Sequence, residues 1–333
     1  MKILLIGEVP PPYGGISVHV AGIQKELTAA GIQCRVLDTS RVHSAAKFGT
    51  ALVLAMWQGW TPHLHTNGHN RKSWLVALAC GVAGRIRGGG VITLHSGLAP
   101  RYLAGISMWQ RWCRARTCSL YARVLCVSPA IQHSVILLGV PPERTEIAPA
   151  CLPVSLHQVA LDADLLAWTQ RHRPLLSTAL FFRPEYGFDL MVAGLVKFRA
   201  RHPHFGCVVM GSGENQTEAR KLVKDAGLEH NLLLLGDVEH QVCLDVMSRS
   251  DVFLRPTLED GDSISVREAL SLGIPVVASR TGARPAGTIL FDPGDTDAML
   301  SKLALALSLG KNTAAPIAGS IPRLLEIYNQ GLA

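Results

Sequence analysis

Short buried-strand candidates, each followed by a stretch with helical spacing, recur along the whole chain, and this alternation constrains the fold more than any other feature. It is the signature of parallel sheets joined by crossover helices. Lys2–Gly7 reads as the first buried strand. After the loop Pro10-Pro11-Pro12-Tyr13-Gly14-Gly15, the residues Ile16, Val20, Ile23 and Leu27 recur on one helix face. Gly31 ends that helix, and 33–37 forms the next strand. Further strands are predicted at 90–94 and 124–127, and Ser128-Pro129 opens a helix closed by Gly139. A second series of strands follows the polar stretch 156–174, at 175–182, 205–210, 231–235, 252–254 and 275–279. Each series suffices for its own doubly wound sheet. The fold class expected is therefore α/β, with two Rossmann-like domains facing a central cleft. The boundaries expected are 1–153, 154–315 and a C-terminal helix within 316–333 crossing back to the first domain, with 153–174 as linker. A length of 333 residues suits two domains. Open sheets of this kind bind ligands beyond the carboxyl ends of their strands.

Composition removes several function classes. With 48% hydrophobic and 17% charged residues, the chain is not disordered. Its longest apolar run, 74–83, is too short for a membrane-spanning helix, which needs about 20 residues. The N-terminal apolar stretch is too short for a secretory signal. The 8 cysteines form no CxxC pair, which argues against a zinc site or a disulfide framework and fits a reducing cytoplasm. Charge is uneven. Of 32 Lys and Arg and 25 Asp and Glu, the segment 1–153 holds 15 and 5. Between Asp38 and Glu143 there is no acidic residue, yet eleven Lys or Arg occur. Such a segment is drawn to an anionic surface: a lipid leaflet, a phosphate-bearing acceptor or nucleic acid. The plainer reading is a solvated face of a basic protein.

The chemistry concentrates in Arg255-Pro256-Thr257-Leu258-Glu259-Asp260-Gly261-Asp262-Ser263-Ile264-Ser265-Val266-Arg267-Glu268-Ala269-Leu270. It follows a strand and precedes a helix capped by Gly273. Ser263 or Ser265 suits the N-cap, and the free amides of such a helix make an anion site fit for a nucleotide phosphate. Asp260 and Glu268 flank the loop and are suited to accept hydrogen bonds from sugar hydroxyls. Read structurally, Glu268 complements the helix dipole and Asp260 caps a turn.

This segment resembles the paired-acid signature of the retaining GT-B nucleotide-sugar glycosyltransferases, glycosyltransferase family 4 (glycosyl transferases group 1). Pro256, Thr257, Asp260, Gly261, Glu268, Ala269, Gly273, Pro275, Val276, Val277 and Ala278 match in register, with Asp260 where the family commonly has Glu and Asp262-Ser263 where it has Phe-Gly. The resemblance extends over nearly the whole chain. Gly14-Gly15 looks like the family's opening loop, where a Cβ would obstruct the approach of backbone to phosphate. Val127-Ser128-Pro129-Ala130 and Leu138-Gly139-Val140-Pro141-Pro142-Glu143-Arg144 resemble the close of its first domain. Val208-Val209-Met210-Gly211-Ser212-Gly213-Glu214, Leu235-Gly236-Asp237-Val238 and Asp251-Val252-Phe253-Leu254 resemble its second-domain strands and turns. One departure stands out. Phe181 and Tyr186 occupy the positions of the family's phosphate-neutralising Arg and Lys, with Gly187 in place. Arg183 lies close by, and Arg255 and Arg267 are other suppliers of positive charge.

The resemblance implies roles for these residues. His95, Asp260 and Glu268 would be catalytic. Gly14, Gly15, Arg183, Gly211, Val238, Gly261, Asp262, Ser263, Ile264 and Glu268 would bind the donor. His95 ends a predicted strand and resembles the family's histidine beside the transferred sugar; read structurally, it satisfies loop carbonyls. His63, His65 and His69 have the look of a metal set, but no carboxylate or cysteine lies nearby, so no metal is expected. Trp109, Trp112 and Tyr121 interleave with Arg111, Arg114 and Arg116 across 106–121, which suits a peripheral contact with an anionic membrane, while Trp109 and Trp112 serve equally well as core.

The function expected is retaining transfer of a sugar from a UDP- or GDP-sugar to a glycan or polyprenyl-linked acceptor, in bacterial cell-surface polysaccharide or lipopolysaccharide assembly. No cofactor is expected, the nucleotide-sugar being a substrate, and no nucleic acid partner. The location expected is cytoplasmic, at the inner face of the cell membrane. The rivals are a nucleotide-sugar epimerase or sugar-phosphate synthase on the same fold, and a nonenzymatic glycosyltransferase-like partner protein motivated by Phe181 and Tyr186.

Overall fold

A computed structural model describes residues 1–41, 44–150, 153–154, 156, 161–312 and 321–331. The chain divides into two compact units, Met1–Leu152 with Ala318–Ala333, and Pro153–Ile317.

The first unit runs β1 (Lys2–Gly7), α1 (Gly15–Ala29), β2 (Gln33–Asp38), α2 (Ala45–Trp57), β3 (Thr61–Thr66), α3 (Arg71–Gly84), β4 (Val91–Leu94), α4 (Ala99–Ala104), α5 (Met108–Ser119), β5 (Arg123–Cys126), α6 (Pro129–Leu137) and β6 (Thr145–Ile147). The second runs α7 (Ala163–Arg171), β7 (Leu175–Ala179), α8 (Phe188–Arg199), β8 (Gly206–Met210), α9 (Gln216–Asp225), β9 (Leu232–Gly236), α10 (His240–Arg249), β10 (Val252–Arg255), α11 (Ile264–Ser271), β11 (Val276–Ser279), β12 (Ile289–Phe291) and α12 (Thr296–Leu309). A last helix, α13 (Ile321–Gly331), belongs to the first unit.

Each unit holds a six-stranded sheet, ordered β2-β1-β3-β4-β5-β6 in the first and β12-β11-β10-β7-β8-β9 in the second. The strand pairs are parallel. Strands such as β8, with every residue buried, have helices on both faces and so read as continuous apolar runs. Strand order reverses direction between β1 and β3 and between β7 and β10. In open α/β sheets that switch point is where the crevice for a ligand opens, outside the carboxyl ends.

Two sequence expectations need correction. The polar stretch 156–174 is not only linker, because it contains α7. Asp162 caps that helix by accepting from the Asp164 and Leu165 amides, Leu165 and Thr169 are buried on it, and Leu165 joins the second unit's core with Trp168 packed alongside. The strand expected over 175–182 ends at Ala179, yet the pairing continues as isolated bonds, Leu180 N–H to the Met210 carbonyl at 2.9 Å and Phe182 N–H to Ser212 at 3.1 Å. Gly211 makes this possible. Its φ is +124°, and the Leu180 carbonyl occupies the place a Cβ would take.

The first unit's core joins Ile3 and Leu5 of β1 and Val20, Ile23 and Leu27 of α1 to Ile321, Leu324, Ile327 and Tyr328 of α13. The helix brings an apolar stripe of four side chains to a sheet that began more than three hundred residues earlier in sequence. Arg323 pairs with Glu146 of β6, but at 51% side-chain exposure that ion pair contributes little beside the packing. Ile327→Ala should destabilise the first unit by about 2–5 kcal/mol through the cavity left behind. Urea titration of the full chain checks this, and a loss within experimental error would show that α13 is dispensable to that core.

Candidate active site

In the second unit, β10 delivers Arg255 at its carboxyl end and the chain then turns through Pro256–Thr257 into the loop before α11. Ser263 is the N-cap, its Oγ accepting from the Val266 amide at 3.4 Å, and Ser265 Oγ lies 3.0 Å from Ser263 Oγ. Among the described residues the amides of Ile264 and Ser265 have no acceptor, as expected of the first helical turn. The loop after β7 packs against this one, with the Leu258 amide donating to the Glu185 carbonyl at 2.8 Å. Gly282, φ +61°, faces the carbonyls of Asp260 and Gly261 so closely that only glycine fits. The loops after β7 and β10 thus meet at the switch point of the sheet.

The two acids are engaged differently. Asp260 Oδ2 accepts from Arg284 Nη1 at 2.9 Å, Arg255 Nε at 3.1 Å and Thr257 Oγ1 at 3.3 Å, and its Oδ1 accepts from the Gly261 amide at 3.0 Å. Four donors account for the capacity of a carboxylate. Burial raises the Asp260 pKa, but the two guanidiniums outweigh it and hold the group below its ordinary value. Burial lowers the pKa of Arg284, which Asp260 only partly offsets. Arg255 also donates to the Ala179 carbonyl and lies 5.0 Å from the Tyr186 ring centroid. Glu268, by contrast, receives one bond, from His240 Nε2 to Oε1 at 2.6 Å, and its Oε2 has no protein partner among the described residues.

The expected suppliers of positive charge are therefore mostly occupied. Arg255 is held by Asp260, and Arg267 Nε bonds both oxygens of Asp262 at 2.8 and 2.9 Å. Arg255 is buried and Arg267 is largely so, each already paired with a carboxylate. Arg183 is different. It is half exposed and lies 4.0 Å from Glu214, on the loop that packs against the β10 loop. Gly211 and Val238 follow β8 and β9, adjacent strands of the same sheet edge. Val238 packs into the core cluster containing Val266 and Ala269. The sequence reading missed His240 and Arg284, which lie 28 and 24 residues from the acids they bond.

In the first unit, Gly14 is the N-cap of α1, its amide bonded to Ser17 Oγ at 2.9 Å, and a Cβ on Gly15 would point into open space. His95 follows β4 at the carboxyl edge and meets two further histidines. Its Nε2 lies 3.1 Å from Nδ1 of His65 on β3, and its ring centroid lies 5.2 Å from that of His19 on α1. His63 packs its ring 4.1 Å from that of His65 but turns its nitrogens elsewhere. It is held by Tyr328 Oη at 2.5 Å and Thr93 Oγ1 at 2.8 Å. The convergent set is therefore His19, His65 and His95, not His63, His65 and His69. One nitrogen from each lies within 4.8 Å of the others, and both nitrogens of buried His19 lack a partner. Three neutral imidazoles of this kind can hydrogen-bond hydroxyls or ligate a divalent metal.

Comparison with known proteins bears on both units. Residues 173–308 match the glycosyl transferases group 1 family and residues 49–155 match glycosyltransferase family 4, and the two stretches take in most of the chain. The chain belongs to the family-4 type of GT-B glycosyltransferases. Among curated relatives, the gpi3 subunit of Schizosaccharomyces pombe phosphatidylinositol N-acetylglucosaminyltransferase is 26% identical over 49% of this chain and 35% of its own length. The Rhizobium meliloti lipopolysaccharide core biosynthesis mannosyltransferase LpsB is 29% identical over 45% and 43%. The chain thus spans about a third to two fifths of the first curated relatives it matches. Anabaena HepE, solved with UDP and glucose, superposes with a TM-score of 0.70 at 15% identity, over 99% of this chain and 100% of the other. At that identity it shows the fold, two Rossmann-like domains.

The histidine cluster gives this family-4 chain a pH signature. Burial lowers the pKa of His19 to about 4, and burial followed by the His19 charge lowers that of His63 to about 3. For His65 and His95 burial, then neighbouring imidazoles, push the pKa well below the ordinary value. These groups are neutral in the folded state but protonate near pH 6.5 when unfolded. Their contribution to stability is complete above pH 6.5 and is lost as pH falls from there through about 4. His19 alone accounts for a loss on the order of 3 kcal/mol. Thermal unfolding should show the midpoint falling across that window, with a flatter profile for His19→Gln; a flat wild-type profile would mean the imidazoles are not held neutral.

Proposed function

We propose that this chain is a retaining glycosyltransferase, moving a sugar from a UDP- or GDP-sugar to a hydroxyl of a glycan or lipid-linked acceptor. The observation that carries the proposal is the pairing of the open amides of Ile264 and Ser265 with the unpartnered Oε2 of Glu268, at the switch point between β7 and β10. Amides at a helix start receive an anion, and a carboxylate oxygen two helical turns or less away receives a hydroxyl. The diphosphate is an anion with a hydroxyl-bearing sugar attached.

Departure of the diphosphate builds negative charge. Arg267 is paired with Asp262, while Arg255 and Arg284 share Asp260, so stabilisation falls to the amide dipoles and to the one positive charge this group leaves over, with Arg183 as the accessible cation. In this reading Asp260 is a positioning residue. It joins the β10 loop to the β11 loop and fixes where the α11 amides point. Glu268 grips the sugar or ribose, its orientation set by His240. His95 supplies a neutral imidazole to a hydroxyl of the transferred sugar. The likeness to family 4 supports retention of configuration. The proposed reaction uses no metal. HepE, crystallised with UDP, supports a uridine donor, and LpsB supports an acceptor in bacterial lipopolysaccharide or cell-surface polysaccharide assembly, at the cytoplasmic side of the membrane.

Acceptor-dependent release of UDP or GDP from a panel of labelled nucleotide-sugars tests the reading. Turnover of donor without acceptor would indicate an epimerase, and no donor binding by calorimetry would indicate a nonenzymatic partner. Glu268→Gln should lower turnover by about 10²-fold, the scale on which a misplaced substrate loses rate, with circular dichroism unchanged. His95→Ala should lower turnover more than it weakens nucleotide binding. EDTA should leave transfer unchanged; its loss on chelation, restored by a divalent cation, would turn attention to the imidazole triad.

A further inference from the structure

One face of the first unit carries large apolar side chains in water. Helices α2, α3 and α5 lie side by side, α3 packing against both of the others. From α2, Trp57 is 78% exposed; from α5, Met108 and Trp109 are 81% and 68% exposed. Leu54, Leu75, Val82 and Trp112 add to them, and Ile86 extends the face just beyond α3. Monomeric soluble surfaces rarely gather such side chains on adjacent helices, and where they do the patch is a contact site.

These residues are not a loosened core. A capping box between Ser107 and Gln110 starts α5. Arg111 then donates to the carbonyls of Leu103 and Leu137, and Arg114 donates to Tyr102 Oη at 3.2 Å. The helix is anchored from its inner side, which holds the two tryptophans outward. Their rings stack at 4.9 Å, and the Arg116 guanidinium lies 5.4 Å from the Trp112 centroid.

The charge of this face says what covers it. Exposed Lys47, Arg71, Lys72, Arg85, Arg87 and Arg116 lie on or at the ends of these helices, and no Asp or Glu occurs anywhere between Asp38 and Glu143. A second copy of the chain meeting this face through its own would set these cations against one another. Single-stranded nucleic acid would need several aromatic rings open for stacking, whereas here Trp109 and Trp112 stack on each other and Trp57 stands among aliphatic side chains and a methionine. Tryptophan, leucine and methionine bordered by basic side chains match the boundary between acyl chains and anionic headgroups.

We propose that the α2–α3–α5 face docks the chain on an anionic lipid leaflet, with Trp57, Trp109 and Trp112 entering the headgroup boundary and Arg85 and Arg87 binding lipid phosphates. Docking is a property of the first unit alone and stands apart from the donor chemistry proposed above. No helix among the described residues is long and apolar enough to cross a membrane, so the attachment proposed is lateral.

The test is sedimentation of the full chain with phosphatidylcholine vesicles, with or without phosphatidylglycerol, in the absence of donor and acceptor. Binding should be about tenfold stronger to the anionic vesicles, weaken in high salt, and bring a blue shift of tryptophan emission. Trp109→Ser with Trp112→Ser, and separately Arg85→Glu with Arg87→Glu, should each reduce it about tenfold while leaving the thermal midpoint unchanged, since all four are exposed. Vesicle binding that is absent, or unaltered in both variants, overturns the proposal. So does a dimer in sedimentation velocity that the tryptophan variant dissolves, which would assign the face to a second copy. Displacement of bound vesicles by a single-stranded oligonucleotide competing for the same arginines would assign it to nucleic acid.

Discussion

The second unit's site is organised by one buried carboxylate. Asp260 accepts from two guanidiniums, a hydroxyl and its neighbour's amide; three of these donors come from the end of β10 and its loop, and Arg284 from beyond β11. Arg255 is the last residue of β10 and also bonds the end of β7; Arg284 lies beyond β11 and also bonds Ser279 and Thr281. A charge taken out of water must be matched, and here the match is made by bringing three strand ends to one point. Removing Asp260 would leave both guanidiniums without a carboxylate. The amide end of α11 points where it does because the chain just before it is fixed in this way.

The first unit solves a different electrostatic problem. At its carboxyl edge burial makes the convergent imidazoles shed their protons. Neutral rings can approach within ring-contact distance, as His19, His65 and His95 do, where three imidazolium ions could not. The family-4 chain thus presents two chemically unlike edges. One is built of matched ions and open amides, the other of uncharged donors and acceptors.

Much of this was legible in the sequence because strands buried on both faces leave continuous apolar runs, and because the paired-acid segment is local. Ser263 at the N-cap and Gly273 after α11 stand where residue chemistry puts them. β3 was harder to see as a strand: Thr61–Thr66 contains a proline and two histidines, and it is central only because its neighbours bury it. β6 and β12, three residues each, are too short for any period to show. α7 was hidden by polar composition, although Asp162 ahead of Leu165 and Thr169 marks its start. His240 and Arg284 are partners through space, and single-sequence spacing has no access to that. His19 did leave a signal, a histidine on the helix face that carries Ile16, Val20 and Ile23.

The way α13 completes the first unit also bears on how the chain is made. Its apolar stripe covers side chains of β1 and α1 that are made before the second unit, whereas the helix is made after it. Until α13 emerges, Ile3, Leu5, Val20 and Ile23 lack part of their cover, while the second unit, contiguous in sequence, can close on its own. The first unit therefore keeps apolar surface open for as long as the second unit takes to be made, the interval in which a nascent chain is open to premature association.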